Sequence, residues 1–310
     1  MKEQLFEFTA DQPGERLDRT IVGQLGEKLS RSQIQALIRD GLVTVNNAPA
    51  KAGMRLKGGE TIRVVVPPAS DDTTVEPEPI DLNVLYEDDL LAVIDKPAGL
   101  IVHPGAGNET GTLVNAILHR WPQIGEMNYA PKRRGIVHRL DKDTSGLLLV
   151  AKDQRAMQHL MRQFQQRSVE KIYLALLERA PKTPTGRIEV PIMRDPNQRR
   201  KMIVHRAGRP AISEYAVIER FRTGQVLVRV RLLTGRTHQI RVHMAFMEAP
   251  VVGDTLYGYR KAKFGLRRQF LHAARLCFDH PTTGERLCFE SPLPPELETV
   301  LSDLRRAGAP

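Results

Sequence analysis

An acidic stretch that contains prolines constrains this chain strongly, because it separates two segments that must each build a core. Residues 69–80 combine Pro77 and Pro79 with four carboxylic acids and few apolar side chains. Such a composition is typical of an exposed linker. A chain of 310 residues is long enough for two domains. We therefore predict a small domain over residues 1–68 and a larger one over residues 81–310.

The net charge of +10 is unevenly distributed along the chain. Nine of the 36 carboxylic acids fall between Asp71 and Asp95, where no lysine or arginine occurs. The rest of the chain therefore carries a larger positive excess, which favours a polyanionic partner. Nucleic acid is the first candidate and an anionic membrane is the second. A basic surface that only keeps the protein in solution is the alternative.

The cysteines and the apolar segments indicate in which cellular compartment the protein is located. No apolar run is long enough to span a membrane, and the first residues lack the apolar segment of a signal peptide. Two cysteines, Cys277 and Cys288, fit reduced and buried thiols better than a disulfide framework. We therefore expect a cytoplasmic protein that has no membrane partner.

The first 68 residues show the pattern of two helices followed by a small sheet. Apolar spacing indicates a helix over about 15–25 and a second one that begins at Ser30-Arg31-Ser32-Gln33, which has the form of a capping box. A short strand over 42–45 leads into Asn46-Asn47, a strong turn signal. A further strand is predicted over residues 61–66.

Four segments of this domain occur in an informative order and spacing. They are Arg16-Leu17-Asp18, Ser30-Arg31-Ser32, Gly41-Leu42-Val43-Thr44-Val45-Asn46 and Gly59-Glu60-Thr61-Ile62. Together they resemble the S4 domain, a small RNA-binding module. In that family the second helix and its following turn present basic residues to RNA, which implies RNA contacts for Arg31, Arg39 and Lys51. A small α+β domain with a solvated basic face is the alternative.

Strand patterns dominate the second domain, and helical patterns fall between only some of them. Strands are predicted over 90–94, 146–151, 173–177, 215–218, 225–233 and 271–278, and helices over 153–165 and 237–246. Because strands and helices do not alternate regularly, a doubly wound parallel sheet is disfavoured. We expect the α+β class, with a mixed, largely antiparallel sheet and flanking helices.

One carboxylate, Asp141, stands out as a candidate reactive group. It lies between two cations, Arg139 and Lys142, and just ahead of an apolar run that is typical of a buried strand. A polar segment that leads into a rigid strand is a common way to hold a reactive side chain. A charged turn with no chemical role is the alternative for this segment taken alone.

Two later segments accompany the Asp141 segment, and two neighbouring motifs flank them. The three main segments are His138-Arg139-Leu140-Asp141, Lys171-Ile172-Tyr173-Leu174-Ala175 and Thr234-Gly235-Arg236-Thr237-His238-Gln239-Ile240-Arg241-Val242-His243. With Asp95-Lys96-Pro97-Ala98-Gly99-Leu100, Gly253-Asp254 and Tyr257-Gly258, they resemble the RluA-type pseudouridine synthases over about residues 83–293. Within that family, the S4-like domain and residues 102–108 are similar to the RluD-type members that act on large-subunit ribosomal RNA.

The resemblance implies that the chain converts uridine to pseudouridine in RNA without a cofactor or a metal ion. It implies that Asp141 is the essential carboxylate, that Arg241 pairs with it and that Tyr173 contacts the target base. Arg139 matches the arginine that helps to displace the target nucleotide. Arg236 is the second candidate for the pairing and is more readily interpreted as an RNA-phosphate or structural contact. The implied partner is ribosomal RNA or a large-subunit precursor, bound by a monomer.

A carboxylate suits this reaction because the C1′–N1 bond of uridine must break before C1′ joins C5. A carboxylate can attack an electrophilic carbon or stabilise positive charge that develops at the sugar. A neighbouring arginine favours its ionised form. Attack at C1′, attack at the base and elimination to a glycal all remain open at this stage.

Other chemistries fit these residues less well. His238 and His243 are five positions apart, which differs from the i, i+4 spacing of helical zinc ligands. Ser145 is not part of the Gly-x-Ser-x-Gly motif of hydrolases. A glycosidase would need a second carboxylate and would leave the S4-like domain unexplained. A noncatalytic RNA-binding factor in ribosome assembly is the remaining alternative function.

Three basic clusters are candidates for phosphate contacts, which position RNA without reading its sequence. They are Lys132-Arg133-Arg134, Arg199-Arg200-Lys201 and Arg267-Arg268. Aromatic residues make up only 5% of the chain, which disfavours extensive stacking along single-stranded RNA. We expect recognition of a folded stem-loop by its shape and phosphate charge.

Overall fold

The computed structural model describes residues 4–26, 29, 31–67, 75–105, 107–198, 200–259 and 264–307. Their contacts divide the chain into two compact units: residues 1–75 with 126–134, and residues 76–125 with 135–310. Ser30, the first residue of the predicted capping box, lies outside the described residues. So do residues 69–74 of the predicted linker.

The first unit contains two helices and a four-stranded antiparallel sheet among its described residues. Its elements are β1 (Gln4–Thr9), α1 (Leu17–Leu25), α2 (Arg31–Arg39), β2 (Val43–Val45), β3 (Ala48–Pro49) and β4 (Thr61–Val66), with the strand order β1-β4-β2-β3. Asn46 and Asn47 have φ angles of 49° and 64°, so the predicted turn is confirmed. Both helices bury apolar residues such as Leu17 and Ile34 with Ile62 of β4. The strand β1 was not predicted from the sequence.

The second unit contains the remaining elements. They are β5 (Val84–Glu87), β6 (Leu91–Lys96), α3 (Leu113–Arg120), β7 (Ser145–Ala151), α4 (Gln154–Gln166), β8 (Glu170–Leu177), β9 (Thr185–Glu189), β10 (Ile192–Arg194), β11 (Met202–Val204), β12 (Ile212–Arg220), β13 (Val226–Leu232), α5 (Gln239–Phe246), β14 (Leu271–Asp279), β15 (Arg286–Glu290) and α6 (Pro295–Ala307).

Nine of the described strands form one sheet. Its order is β5-β6-β7-β14-β8-β13-β12-β9, and β15 pairs with β14. Within the described part of the chain β7 and β14 pair in parallel, and every other pair in this sheet is antiparallel. The expected α+β class with a mixed, largely antiparallel sheet is confirmed. The strands β10 and β11 form a separate antiparallel hairpin.

The helix α4 covers β7 and β14. It begins after Asp153, whose carboxylate accepts a hydrogen bond of 2.6 Å from the backbone N–H of Ala156 and so satisfies one free donor of the first turn. Its buried residues include Met157 and Leu160, one turn apart on the face towards the sheet. All seven residues of β7 are buried, as expected for a central strand that is covered.

Gly146 allows β7 and β14 to pair as closely as they do. It has a φ angle of 109°, and a Cβ atom at this position would lie 2.3 Å from the carbonyl oxygen of Ala273 in β14. Only glycine avoids both the backbone strain and this collision. The start of β7, which follows directly on the Asp141 turn, is therefore fixed against β14.

The two cysteines form a disulfide across the β14–β15 hairpin. Cys277 in β14 lies directly opposite Cys288 in β15, with their Cα atoms 4.2 Å apart, and a disulfide joins them. The expectation of two reduced thiols is therefore wrong, because the register of this hairpin brings together side chains whose proximity the sequence alone does not reveal.

In the described ranges, no helix has the length and apolarity that crossing a membrane requires.

Replacing Gly146 by Ala should destabilise the second unit by about 3 kcal/mol, because the new methyl group adds backbone strain and a collision with β14. The measurement is the free energy of unfolding in urea. The matched control is Gly125→Ala, where the new Cβ atom would make an ordinary contact of 3.8 Å with the side chain of Leu118. Equal stabilities for the two variants would contradict this explanation.

Candidate active site

A cavity of about 490 Å³ lies in the second unit between α4, β8 and α5. This volume is within the usual range for small-molecule sites. Among the described residues, its wall contains one acidic side chain, Asp141, and six basic ones. The basic residues are Arg139, Arg167, Lys171, Arg209, Arg236 and Arg241. An anionic ligand is therefore electrostatically favoured.

Asp141 lies in a turn whose backbone carbonyl groups accept hydrogen bonds from within the turn and from the segment at the end of β6. The backbone N–H of Thr144 donates to the Asp141 carbonyl (3.1 Å), and the N–H of Gly99 donates to the Lys142 carbonyl (2.9 Å). The ammonium group of Lys96, which is fully buried, also donates to the Lys142 carbonyl (3.0 Å). The turn is therefore tied to the end of β6, which holds the carboxylate in place.

Arg241 lies between two carboxylates. Its Nε and Nη2 atoms bind the two oxygens of Asp254 at 2.6 and 3.0 Å, and its Nη1 donates to Oδ2 of Asp141 at 3.0 Å. Burial disfavours the charge of Arg241, but the contacts with Asp254 and Asp141 outweigh it and raise its pKa above the ordinary value. The guanidinium therefore stays charged.

The two carboxylates differ in their surroundings. Asp254 has no exposed side-chain surface, and its Oδ1 also accepts the backbone N–H groups of Leu256 (3.0 Å) and Tyr257 (3.1 Å). Asp141 keeps 15% of its side chain exposed and lines the cavity. The saturated Asp254 can serve only to hold Arg241, whereas Asp141 is accessible to a ligand.

Tyr173 and Lys171 point from β8 into the cavity, as alternate residues on one face of a strand do. Tyr173 is 6% exposed, and burial together with the charge of Asp141 raises the pKa of its hydroxyl above the ordinary range. Burial lowers the pKa of Lys171 to about 8. Its ammonium lies 5.4 Å from the ring centre of Phe164, a cation–π contact.

His138 and His243 have partners that explain them as structural groups. Nε2 of His138 accepts the backbone N–H of Leu149 at 2.9 Å, and burial holds the pKa of this imidazole well below its ordinary value. The ring of His243 bonds the hydroxyl of Ser213 (2.9 Å) and the carbonyl of Val190 (3.2 Å). In the described ranges, no group of three or more His, Cys, Asp or Glu residues is arranged to hold a metal ion.

His238 lines the cavity beside Asp141, and Tyr257 is its hydrogen-bond partner. Nδ1 of His238 lies 2.7 Å from the hydroxyl of Tyr257, and its Nε2 lies 3.9 Å from Oδ1 of Asp141. Burial lowers the pKa of His238. Burial likewise raises the pKa of Tyr257 to about 12. Both side chains are therefore neutral near pH 7.

Two other predicted cations of this unit, Arg139 and Arg236, line the cavity and have neutral partners. Arg139 is exposed, and its Nη1 lies 3.4 Å from Nε2 of His103. Arg236 donates to the carbonyl of Pro210 at 3.0 Å. Burial, with Arg209 and Arg167 close by, lowers the pKa of Arg236. The structure thus brings Asp141, Tyr173, Arg241, Arg139 and Arg236 to one cavity.

The RNA contacts predicted in the S4-like domain, Arg31, Arg39 and Lys51, are exposed. Arg31 and Arg39 are the first and last residues of α2, and Lys51 follows β3. Arg31 donates to Asp18 at 3.1 Å, and Arg39 lies 3.4 Å from Asp40. The Arg31 side chain is 57% exposed, so it combines an internal ion pair with an accessible surface.

One predicted phosphate contact is wrong. Arg268 is only 9% exposed and donates to Glu296 (2.7 Å), to the hydroxyl of Ser145 (3.2 Å) and to the carbonyl of Asp143 (3.2 Å). It therefore fixes the chain around the start of β7 and is not available to RNA. Arg199 of another cluster lies outside the described residues.

From the sequence, Asp254 and Tyr257 had no assigned role, and Lys171 was known only as part of a motif. His238 was considered as a zinc ligand, which its spacing from His243 disfavoured. The signal for Asp254 was present in the segment Gly253-Asp254, which belongs to the stated resemblance. Its function as the second partner of Arg241 depends on a contact between side chains 13 positions apart, which residue type does not reveal.

Comparisons with known proteins agree on one family. Residues 90–246 match the family described as RNA pseudouridylate synthase, and residues 15–62 match the S4 domain. A protein from Nitrosomonas europaea named ribosomal large subunit pseudouridine synthase D is 45% identical over 94% of this chain and 85% of its own length. A protein of the same name from Neisseria meningitidis is 43% identical over 94% and 79%.

Two further proteins, one from another bacterium and one human, are also similar to this chain. An uncharacterized RNA pseudouridine synthase of Bacillus subtilis, YlyB, is 42% identical over 96% of this chain and 97% of its own length. The solved structure of human RNA pseudouridylate synthase domain containing 1 is 28% identical, with a TM-score of 0.55. It covers 74% of this chain and 97% of its own. The S4 domain expected from the sequence is thus confirmed, and so is the pseudouridine synthase resemblance.

Replacing Asp254 by Asn should destabilise the protein by about 3 kcal/mol, because an amide cannot neutralise the buried guanidinium of Arg241. Asp141→Asn should cost about 1 kcal/mol or less, since Arg241 keeps Asp254. Unfolding in urea measures both values. The explanation is wrong if Asp141→Asn is the more destabilising change.

The ion pairs of Asp18 should make the first unit sensitive to acid. Hydrogen bonds from Arg16 lower the pKa of Asp18 to about 2, below its unfolded value of about 3.9. The stabilisation is therefore complete above pH 4 and is lost as the pH falls towards 2. The stability advantage over Asp18→Asn should shrink by about 1 kcal/mol, given the exposure of both arginines. Hydrogen exchange of α1 at pH 6 and 2.5 measures it, and an unchanged difference would contradict the assignment.

Proposed function

The chain belongs to the RNA pseudouridylate synthase family, and we propose that it isomerises specific uridines to pseudouridine in large-subunit ribosomal RNA. The family assignment identifies the chemistry as an isomerisation of uridine in RNA. Relatives that are 43% and 45% identical over 94% of this chain are named for the large ribosomal subunit. Their names support the choice of substrate.

The charge distribution supports an RNA substrate independently. The cavity has six basic residues and one acidic residue in its described wall, and the chain carries an S4 domain. Phosphate contacts of this kind position RNA and supply affinity that depends on salt. Ribosomal RNA or a large-subunit precursor is the partner that we propose. The sequence-based expectations of a monomer and of a cytoplasmic location remain predictions.

The reaction requires an extruded nucleotide, because a base inside a helix cannot turn over. Enzymes that act on bases take the target out of the stack and hold it in a pocket. Tyr173, buried in the cavity wall, offers an aromatic face to the uracil ring. Arg139, exposed at the cavity, provides a cation that can occupy the vacated position. We assign these roles to the two residues.

The contact between Arg241 and Asp141 is the observation that carries the proposal. Arg241 binds Oδ2 of Asp141 at 3.0 Å, while Oδ1 makes no hydrogen bond to Arg241. A carboxylate oxygen beside the cavity can act as the nucleophile towards the extruded uridine. The bidentate contact with Asp254 fixes the guanidinium, and so it also fixes the direction in which Asp141 points.

The Asp141→Asn protein should lose at least about 10³-fold in the single-turnover rate of pseudouridine formation, because an amide is a poor nucleophile. The measurement uses a large-subunit ribosomal RNA transcript and maps pseudouridine at each position. The affinity for this RNA should change little, since the six basic residues of the cavity wall stay in place.

The matched control is Asp143→Asn, the same substitution two positions away in a side chain outside the cavity wall. It should retain most of the wild-type rate. Full activity of Asp141→Asn would reject the assigned nucleophile. RNA binding without any modification by the wild-type protein would instead favour a noncatalytic factor in ribosome assembly.

A further inference from the structure

His238 occupies a position beside Asp141 where a hydrogen-bond donor would meet the substrate. It lines the cavity and directly precedes the first residue of α5, with a left-handed φ angle of 56°. Its Nε2 atom lies 3.9 Å from Oδ1 of Asp141, which is longer than a hydrogen bond. A residue in this backbone conformation costs free energy, and such residues concentrate at functional sites.

The hydroxyl of Tyr257 is the partner of Nδ1 of His238 and favours one tautomer of its ring. The backbone N–H of Met202 donates to the hydroxyl of Tyr257 at 2.7 Å, so the oxygen of that hydroxyl serves as an acceptor there. Its own hydrogen is then available for Nδ1 of His238, also at 2.7 Å. When the hydroxyl donates to Nδ1, the proton of the neutral ring is on Nε2, so that Nε2 presents an N–H and not a lone pair to the carboxylate of Asp141. This Nε2–H group is on the Asp141 side of the ring.

The surroundings keep the ring neutral. Burial lowers the pKa of His238, and the positive charges of Arg241 and Arg139 act in the same direction, although Asp141 and Asp254 oppose them. A neutral imidazole donates through one nitrogen only. That donor therefore has a fixed direction, as groups that stabilise developing charge require.

The isomerisation produces negative charge on the uracil ring, which a hydrogen-bond donor would stabilise. When the C1′–N1 bond breaks, its electron pair stays with uracil and spreads over N1 and the two carbonyl oxygens. Groups placed to meet this charge lower the barrier, and they do so most effectively in a cavity shielded from water. The hydrogen bond moves no proton away from His238, so the ring is unchanged at the end of the turnover.

We propose that His238 is a further catalytic residue, whose Nε2–H donates a hydrogen bond to a uracil carbonyl oxygen that becomes negative as the glycosidic bond breaks. This inference rests on the proposed function. It assigns a separate group to the base, whereas Asp141 and Arg241 act at the carboxylate. Tyr257 is the positioning residue that selects the donor tautomer.

The test compares His238→Ala with His238→Gln. Both variants place an ordinary residue in the same left-handed conformation, so their backbone strain is matched. Gln keeps an N–H donor at about the distance of Nε2, and Ala has none. The single-turnover rate should fall by about 10²-fold or more for Ala, and Gln should recover most of it. The affinity for the RNA should be equal for all three proteins.

Three results would overturn the inference: a wild-type rate for His238→Ala, equal losses for Ala and Gln, or a loss that lies in RNA affinity alone. A wild-type protein that forms no pseudouridine would refute the proposed function, and the inference would fail with it. Pseudouridine formation at the same rate by wild-type and His238→Ala proteins would refute the inference alone.

A second measurement examines the tautomer without any assay of activity. Nitrogen-15 NMR of the imidazole at pH 7 should show His238 neutral and protonated on Nε2 in the wild-type protein. The matched variant Tyr257→Phe removes the hydroxyl and keeps the ring, and it should let the Nδ1-protonated form appear. A charged ring, or a proton on Nδ1 in the wild type, would overturn the inference.

Discussion

The placement of one buried guanidinium between two carboxylates underlies the whole site. Removing a charge from water costs several kcal/mol unless a partner compensates for it. Asp254 supplies that compensation through two short hydrogen bonds to Arg241, and backbone N–H groups hold Asp254 in turn. Arg241 can therefore present a third N–H direction to Asp141 without depending on it. Asp254 stabilises the buried guanidinium, and Asp141 stays accessible from the cavity.

The sheet brings these groups together from distant parts of the sequence. Arg241 in α5 and Asp141 in its turn are 100 positions apart, and Tyr173 lies on the strand β8. The strand β14, which comes late in the chain, is inserted between β7 and β8. Its parallel contact with β7 needs Gly146, five positions after Asp141. The close approach of two backbones thus fixes the strand that follows the Asp141 turn.

The sequence predicted the parts of this structure that depend on local pattern or on a recognisable motif. Asp141, Tyr173 and Arg241 were named, and the helix predicted over 237–246 is observed as Gln239–Phe246. It did not predict the pairing of Cys277 with Cys288, because hairpin register decides which residues are opposite each other. It misjudged Arg268 because a basic residue beside another resembles a phosphate contact until its burial is known.

As with Arg268, what a basic residue in the cavity wall can bind depends on whether a carboxylate already pairs with it. Of the six basic residues in its described wall, Arg241 is the one that pairs with a carboxylate in the described part of the chain. Arg139 and Arg236 have neutral partners, which orient their guanidinium groups and leave their positive charge uncompensated. A phosphate group entering the cavity would therefore meet cations whose charge is not cancelled, while the single anion, Asp141, is already held by Arg241. This arrangement attracts the backbone of a nucleic acid to the carboxylate despite their like charges, because the surrounding positive charge exceeds that of the one carboxylate.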